Sequence, residues 1–134
     1  MIVVDTNVIA ALFVRGPQTK AARAVLARDP EWAAPPLWRS EFRSVLTGAA
    51  RLGRMDWDTA AQIMALAEGL LGGLERPVPS PDVLALAQTS RCTAYDCEFA
   101  ALARRLSVPL VTLDRELLAG FPDFAVTPEA FLAT

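Results

Sequence analysis

The chain has 134 residues, 53% of them hydrophobic, and a mean hydropathy of +0.31, which suits one domain with a real core and excludes a disordered tract. A net charge of −2 and a sequence pI of about 5.1 leave no global basic footprint for passive nucleic-acid binding. Histidine is absent, which excludes Ser-His-Asp and Cys-His catalysis and leaves carboxylates, a metal or Lys20, the single lysine, for any acid–base work.

Residues 1–4 form a short apolar run ending at Asp5, which reads as a buried strand. It lacks a basic lead, and no apolar run is long enough to cross a bilayer, so a cytoplasmic protein without a membrane partner is expected. Val8–Val14 and Gln18–Arg28 read as helices, the second closed by Asp29-Pro30. Trp32–Ala34 reads as a very short strand before Pro35-Pro36. A long helix over Leu37–Leu52 places Phe42, Val45, Leu46, Ala49 and Leu52 on one apolar stripe.

Gly53-Arg54 turns the chain into a second helix, Trp57–Leu71, capped by Asp56 or Asp58, so that the pair forms a helical hairpin. Leu74–Val78 reads as extended, and Ser80-Pro81-Asp82 as a helix start running to Gln88. Cys92 and Cys97 read as reduced, buried thiols, because two cysteines without histidine cannot complete the usual zinc site. Thr93 opens a helix to Leu106. Leu110–Leu113 reads as a buried strand ending at Asp114, followed by a short helix over Arg115–Leu118. Phe124–Val126 is a last strand, and Thr127 caps a terminal helix. Helices alternating with short strands imply an α/β class: a single domain over residues 1–134 with a mainly parallel central sheet flanked by helices.

Four acids break the apolar pattern. Asp5 and Asp114 end apolar strands, where open parallel sheets place ligands, and Asp114 reads equally as the N-cap of the helix that follows. Glu41 falls within or beside the stripe of its helix; it is either a metal ligand or an edge residue paired with Arg39 or Arg43. Asp96 has Phe99, Ala100 and Ala103 below it, and Thr93-x-x-Asp96 also fits a capping box. Four converging carboxylates repel one another, and divalent cations make the arrangement tolerable. Oxygen ligands suit Mg²⁺ or Mn²⁺ rather than zinc.

Val3-Val4-Asp5-Thr6-Asn7-Val8-Ile9, Ser40-Glu41, Thr93–Ala103 and Leu110–Leu117 together resemble the four ordered motifs of PIN-domain nucleases. The length is similar to that of VapC-type toxins of type II toxin–antitoxin modules. The resemblance implies a metal-dependent endoribonuclease in which Asp5, Glu41, Asp96 and Asp114 hold Mg²⁺ or Mn²⁺ and act on RNA. It places Thr6, Asn7 and Thr112 behind the carboxylates as hydrogen-bonding partners. It also implies a small antitoxin partner and a homodimer, with the Leu37–Leu71 hairpin as a surface for assembly. Glu98 departs from the small or apolar residue expected after the third acid and is read as a helix flank rather than an extra ligand. Arg15, Arg39, Arg43 and Arg115 lie near motifs, either as phosphate contacts or as counter-ions of the acids.

Other readings fit less well. A haloacid-type phosphatase wants an aspartate where Asn7 stands. A receiver domain wants paired early acids and a late lysine. A catalytically silent PIN-fold binding or regulatory module is the alternative, and the complete acid set argues against it.

Overall fold

The computed structural model describes residues 1–134. Four short strands form one all-parallel sheet in the order β2-β1-β3-β4, with β1 at Ile2–Val4, β2 at Trp32–Ala33, β3 at Leu110–Val111 and β4 at Ala125–Val126. Parallel strands need crossovers, and helices supply them. Helices α1 (Thr6–Phe13) and α2 (Thr19–Arg28) join β1 to β2. Helices α3 (Leu37–Arg51), α4 (Trp57–Leu71), α5 (Ser80–Gln88) and α6 (Ala94–Leu106) join β2 to β3. Helix α7 (Arg115–Gly120) leads to β4, and α8 (Pro128–Leu132) closes the chain against α2.

From β1 the chain leaves to one side to build β2 and later returns on the other to build β3. The β1–β3 boundary is therefore the switch point of the sheet, where a crevice opens at the strand ends. Register pairs Val3 with Leu110 and Val4 with Val111. Asp5 and Thr112 thus emerge side by side at the carboxyl edge. Both central strands are fully buried, as are Trp32, Trp38, Phe42, Phe99 and Leu102 packed around them. This explains why the strands are uniformly apolar rather than alternating.

Local signals set most boundaries. Asp56 caps α4 by accepting from the Thr59 N–H at 2.7 Å, and Thr127 caps α8 by accepting from Ala130 N–H at 3.0 Å. Ser80 lies inside α5 and makes no capping bond; Pro79 precedes the helix instead. The extended reading of Leu74–Val78 holds in part: Gly72–Leu74 is a single 3₁₀ turn, and Glu75 then forms one parallel bridge to Ala34.

Two members of the expected α3 stripe are not buried. Trp38, Phe42, Leu46 and Ala49 face the core, but Val45 is 39% exposed and Leu52 71% exposed. The buried stripe is rotated by about one residue, because Trp38 packs on Phe42 and Phe42 on Phe13 of α1, with ring centroids 6.3 and 6.1 Å apart. Glu41, Ser44, Val45 and Leu52 share the neighbouring stripe, spaced three or four residues apart along the first turns. Its Glu41, Ser44 and Val45 border the crevice rather than the core, and Leu52 is exposed beyond it.

Candidate active site

A cleft of about 380 Å³ opens at the carboxyl edge of β1 and β3, lined by Asp5, Thr6, Asn7, Glu41, Ser44, Val45, Asp96 and Asp114. All four expected acids therefore meet in one place, each from a different element. Asp5 follows β1, Glu41 stands on α3, Asp96 in the first turn of α6, and Asp114 between β3 and α7.

Three of the carboxylates accept hydrogen bonds from nearby hydroxyl or backbone groups. Asp5 is the N-cap of α1: its Oδ1 accepts from Thr6 N–H at 2.7 Å and its Oδ2 from the Thr112 hydroxyl at 2.7 Å. Asp114 is the N-cap of α7, its Oδ1 accepting from the backbone N–H groups of Glu116 at 2.7 Å and Leu117 at 3.2 Å. Thr93 caps α6 by accepting from the Asp96 N–H at 3.1 Å, so Asp96 sits in a capped first turn and also lines the cleft. Glu41 accepts from the Thr6 hydroxyl at 2.7 Å.

Thr112 is fully buried and joins two acids at once: it donates to Asp5 and accepts from the Asp114 N–H at 3.0 Å. Thr6 likewise serves Asp5 with its backbone and Glu41 with its hydroxyl. Asn7 behaves differently from expectation. It bonds no carboxylate; its Oδ1 accepts from the Leu113 N–H at 3.2 Å, tying the start of α1 to the end of β3.

The cleft has no cationic partner of its own. No lysine or arginine lies within ion-pair distance of Asp5, Glu41, Asp96 or Asp114. Arg39 was a candidate counter-ion, and it turns away from Glu41: it pairs with Glu68 and, through Nε at 2.6 Å, with Glu75. Residues two apart lie on different sides of a helix, which is why sequence proximity misled here. Arg15, Arg43 and Arg115 are exposed, carry no ion pair and do not line the cleft.

The electrostatic consequence falls on the acids. Asp5 is 5% exposed, and burial raises its pKa to about 6 against the pull of Thr112 and Thr6; the charges of Asp96 and Glu41 add to the rise. Burial also raises the Asp96 carboxyl, followed by the charges of Asp114 and Glu41. Glu98 is half-buried and outside the cleft lining, raised by burial and then by Glu41. A second hollow, between α5 and α6, has none of this character: its Asp82 is paired with Arg105 at 3.0 Å. Both cysteines are buried and free, as expected.

The donor set is all oxygen, with no histidine or cysteine in the lining. No three of the side chains are already drawn into a closed ligand set. An open ring of carboxylates fits Mg²⁺ or Mn²⁺ better than a soft metal, since Mg²⁺ retains several waters and takes few direct carboxylates.

Sequence and fold comparisons place the chain in a family. The family model of the PIN domain matches residues 2–121. The chain belongs to the PIN-domain family. Among its PIN-domain relatives, ribonuclease VapC3 of Pyrobaculum aerophilum is 31% identical over 130 residues, covering 95% of this chain and 98% of the relative. Exonuclease VapC9 of the same organism is 39% identical over 79 residues, which is 59% of each chain. The crystal structure of PAE2754 from P. aerophilum superposes with a TM-score of 0.77 at 29% identity, covering 98% of this PIN domain and 93% of that chain.

Proposed function

We propose that this PIN domain is a metal-dependent endoribonuclease, the toxin of a toxin–antitoxin pair, with Asp5, Glu41, Asp96 and Asp114 as the ligands of Mg²⁺ or Mn²⁺. One observation carries the reading: four carboxylates from four elements face one cleft, and no basic side chain neutralises them. The resemblance of the chain to VapC3 and VapC9, named a ribonuclease and an exonuclease, supports the reaction class.

Asp5, Glu41, Asp96 and Asp114 would hold a divalent cation there, which would supply positive charge for an RNA phosphodiester beside the acids and would acidify water near neutral pH. The chain itself does the rest. Thr6 and Thr112 fix the rotamers of Glu41 and Asp5, so the oxygens that face the cleft are set before anything binds. Burial raises the Asp5 carboxyl, so mild acid protonates it in the metal-free cleft. Arg15, Arg43 and Arg115 are exposed and free to meet RNA phosphates outside the cleft. A small antitoxin, a homodimer and a cytoplasmic location belong to the same reading; no helix is long and apolar enough to cross a membrane.

The test is cleavage of a mixed RNA pool with Mg²⁺, with Mn²⁺ and with EDTA, beside Asp96→Asn. Cutting with either metal, abolished by EDTA and by the variant, is expected. Cutting that survives EDTA or the variant contradicts the metal site. A circular RNA separates internal from terminal cleavage, and internal cleavage is expected.

A further inference from the structure

Asn7 has an amide whose orientation is forced. The Leu113 backbone N–H can only donate, so the side-chain group facing it at 3.2 Å must be the amide oxygen. The amide is planar, and its NH₂ therefore points away from Leu113. Asn7 lines the cleft and is half-exposed, and the NH₂ has no partner within the protein. Flipping the amide would set two donors against each other at Leu113, so the NH₂ stays on the side away from that bond.

The rest of the lining makes this donor unusual. Asp5, Glu41, Asp96 and Asp114 only accept, Val45 is apolar, and Thr6 has committed its hydroxyl to Glu41. Ser44 has a hydroxyl free to rotate. Asn7 alone carries a side-chain N–H, and it is neutral. A lysine or arginine in its place would collapse onto the acids and compete with a cation. A neutral, pre-aimed N–H does neither.

We propose that Asn7 is a substrate-contacting residue whose amide NH₂ donates to a non-bridging oxygen of the phosphodiester being cut. This rests on the ribonuclease reading and adds a residue to it that does not touch the metal.

Single-turnover cleavage with Mn²⁺ of one short RNA, picked from the pool because the wild-type protein cuts it at a single bond, provides the test. Asn7→Asp keeps an acceptor for Leu113 and removes the donor; Asn7→Ala removes both. Each is expected to slow cleavage on the order of 10- to 100-fold, as for loss of a hydrogen bond to a charged group. Mn²⁺ affinity, read by calorimetry, should stay unchanged in Asn7→Ala. Sulfur at the contacted non-bridging oxygen should slow the wild type and add nothing in Asn7→Ala.

Wild-type speed in Asn7→Asp means that Asn7 serves only the Leu113 bond, and the proposal fails while the ribonuclease reading stands. The proposal fails in the same way if Asn7→Ala loses Mn²⁺, or if sulfur slows it as much as the wild type at both non-bridging positions, leaving no oxygen whose effect depends on Asn7. Should the wild type cut no RNA at all, both readings fall together.

Discussion

Two groups of acids in this domain meet opposite fates. On the outer side of α3, Glu68 and Glu75 close on Arg39, whose guanidinium also lies 5.5 Å from the Trp38 ring centre. Trp38 Nε1 donates to Glu75 at 2.5 Å. Every charge there has an opposite within the chain. On the cleft side of the same helix, Glu41 joins Asp5, Asp96 and Asp114 with hydroxyl and backbone donors but no cation. The fold supplies a cation to one set and none to the other. The first set ties α3 to α4 and to the Glu75 segment; the second comes from four separate elements, with Asp5 and Asp114 as helix N-caps.

The sharpest way to break this contrast is to remove one acid from each set. Asp96→Asn is expected to lower RNA cleavage by at least about 100-fold, while the melting temperature in EDTA holds or rises because repulsion with Asp114 and Glu41 is relieved. A large loss of metal-free stability would show that Asp96 is a structural acid after all.

The pH dependence follows from Asp5. Its folded pKa of about 6 lies above the ordinary 3.8, so the folded state prefers the neutral acid. The associated stability is full below the ordinary value and is lost as pH rises through about 6, by on the order of 3 kcal/mol at most. Metal-free melting should therefore weaken from pH 5 to pH 7.5, and excess Mn²⁺ should reverse the slope, because a cation favours the deprotonated acids. Differential scanning calorimetry with and without Mn²⁺ reads both.

Thr112→Val tests the bridge between two of the acids. It keeps the shape and removes a fully buried hydroxyl that donates to Asp5 and accepts from Asp114 N–H. A stability loss of about 1–3 kcal/mol in urea unfolding is expected. Without that donor the charged form of Asp5 is less favoured, so the acid limb of the cleavage profile should move to higher pH.

Arg39→Leu makes the smallest change in function. It leaves Glu68 and Glu75 without their cation and should lower the melting temperature, with cleavage per folded molecule within about 2-fold of the wild type. A collapse of activity at full folding would erase the distinction between the two acid sets.

The sequence carried the outline of the site for a simple reason. Asp5 and Asp114 follow apolar runs, and once β1 and β3 lie parallel and adjacent their ends must converge. Asp96 was legible as a helix start and is one, which did not prevent it from also facing the cleft. What escaped was rotation and reach. Helical spacing cannot tell the stripe of Trp38, Phe42, Leu46 and Ala49 from its neighbour one residue away, so Val45 and Leu52 were placed in the core although packing by Phe13 turns them out. Arg39 found its partners 29 and 36 residues downstream, beyond anything local spacing reports. Asn7 was expected to steady a carboxylate, and its acceptor instead meets a backbone N–H 106 residues away, a contact that exists only once the sheet is assembled.

Titration of Mn²⁺ into the metal-free protein tests most directly whether the unpaired acids are a cation site. The wild type should bind Mn²⁺ in calorimetry at pH 7.5, more weakly near pH 5, and Asp5→Ala should lose most of that affinity while Arg39→Leu keeps it. A wild-type protein that gives no binding, or an Asp5→Ala protein that binds as well as the wild type, would contradict the account.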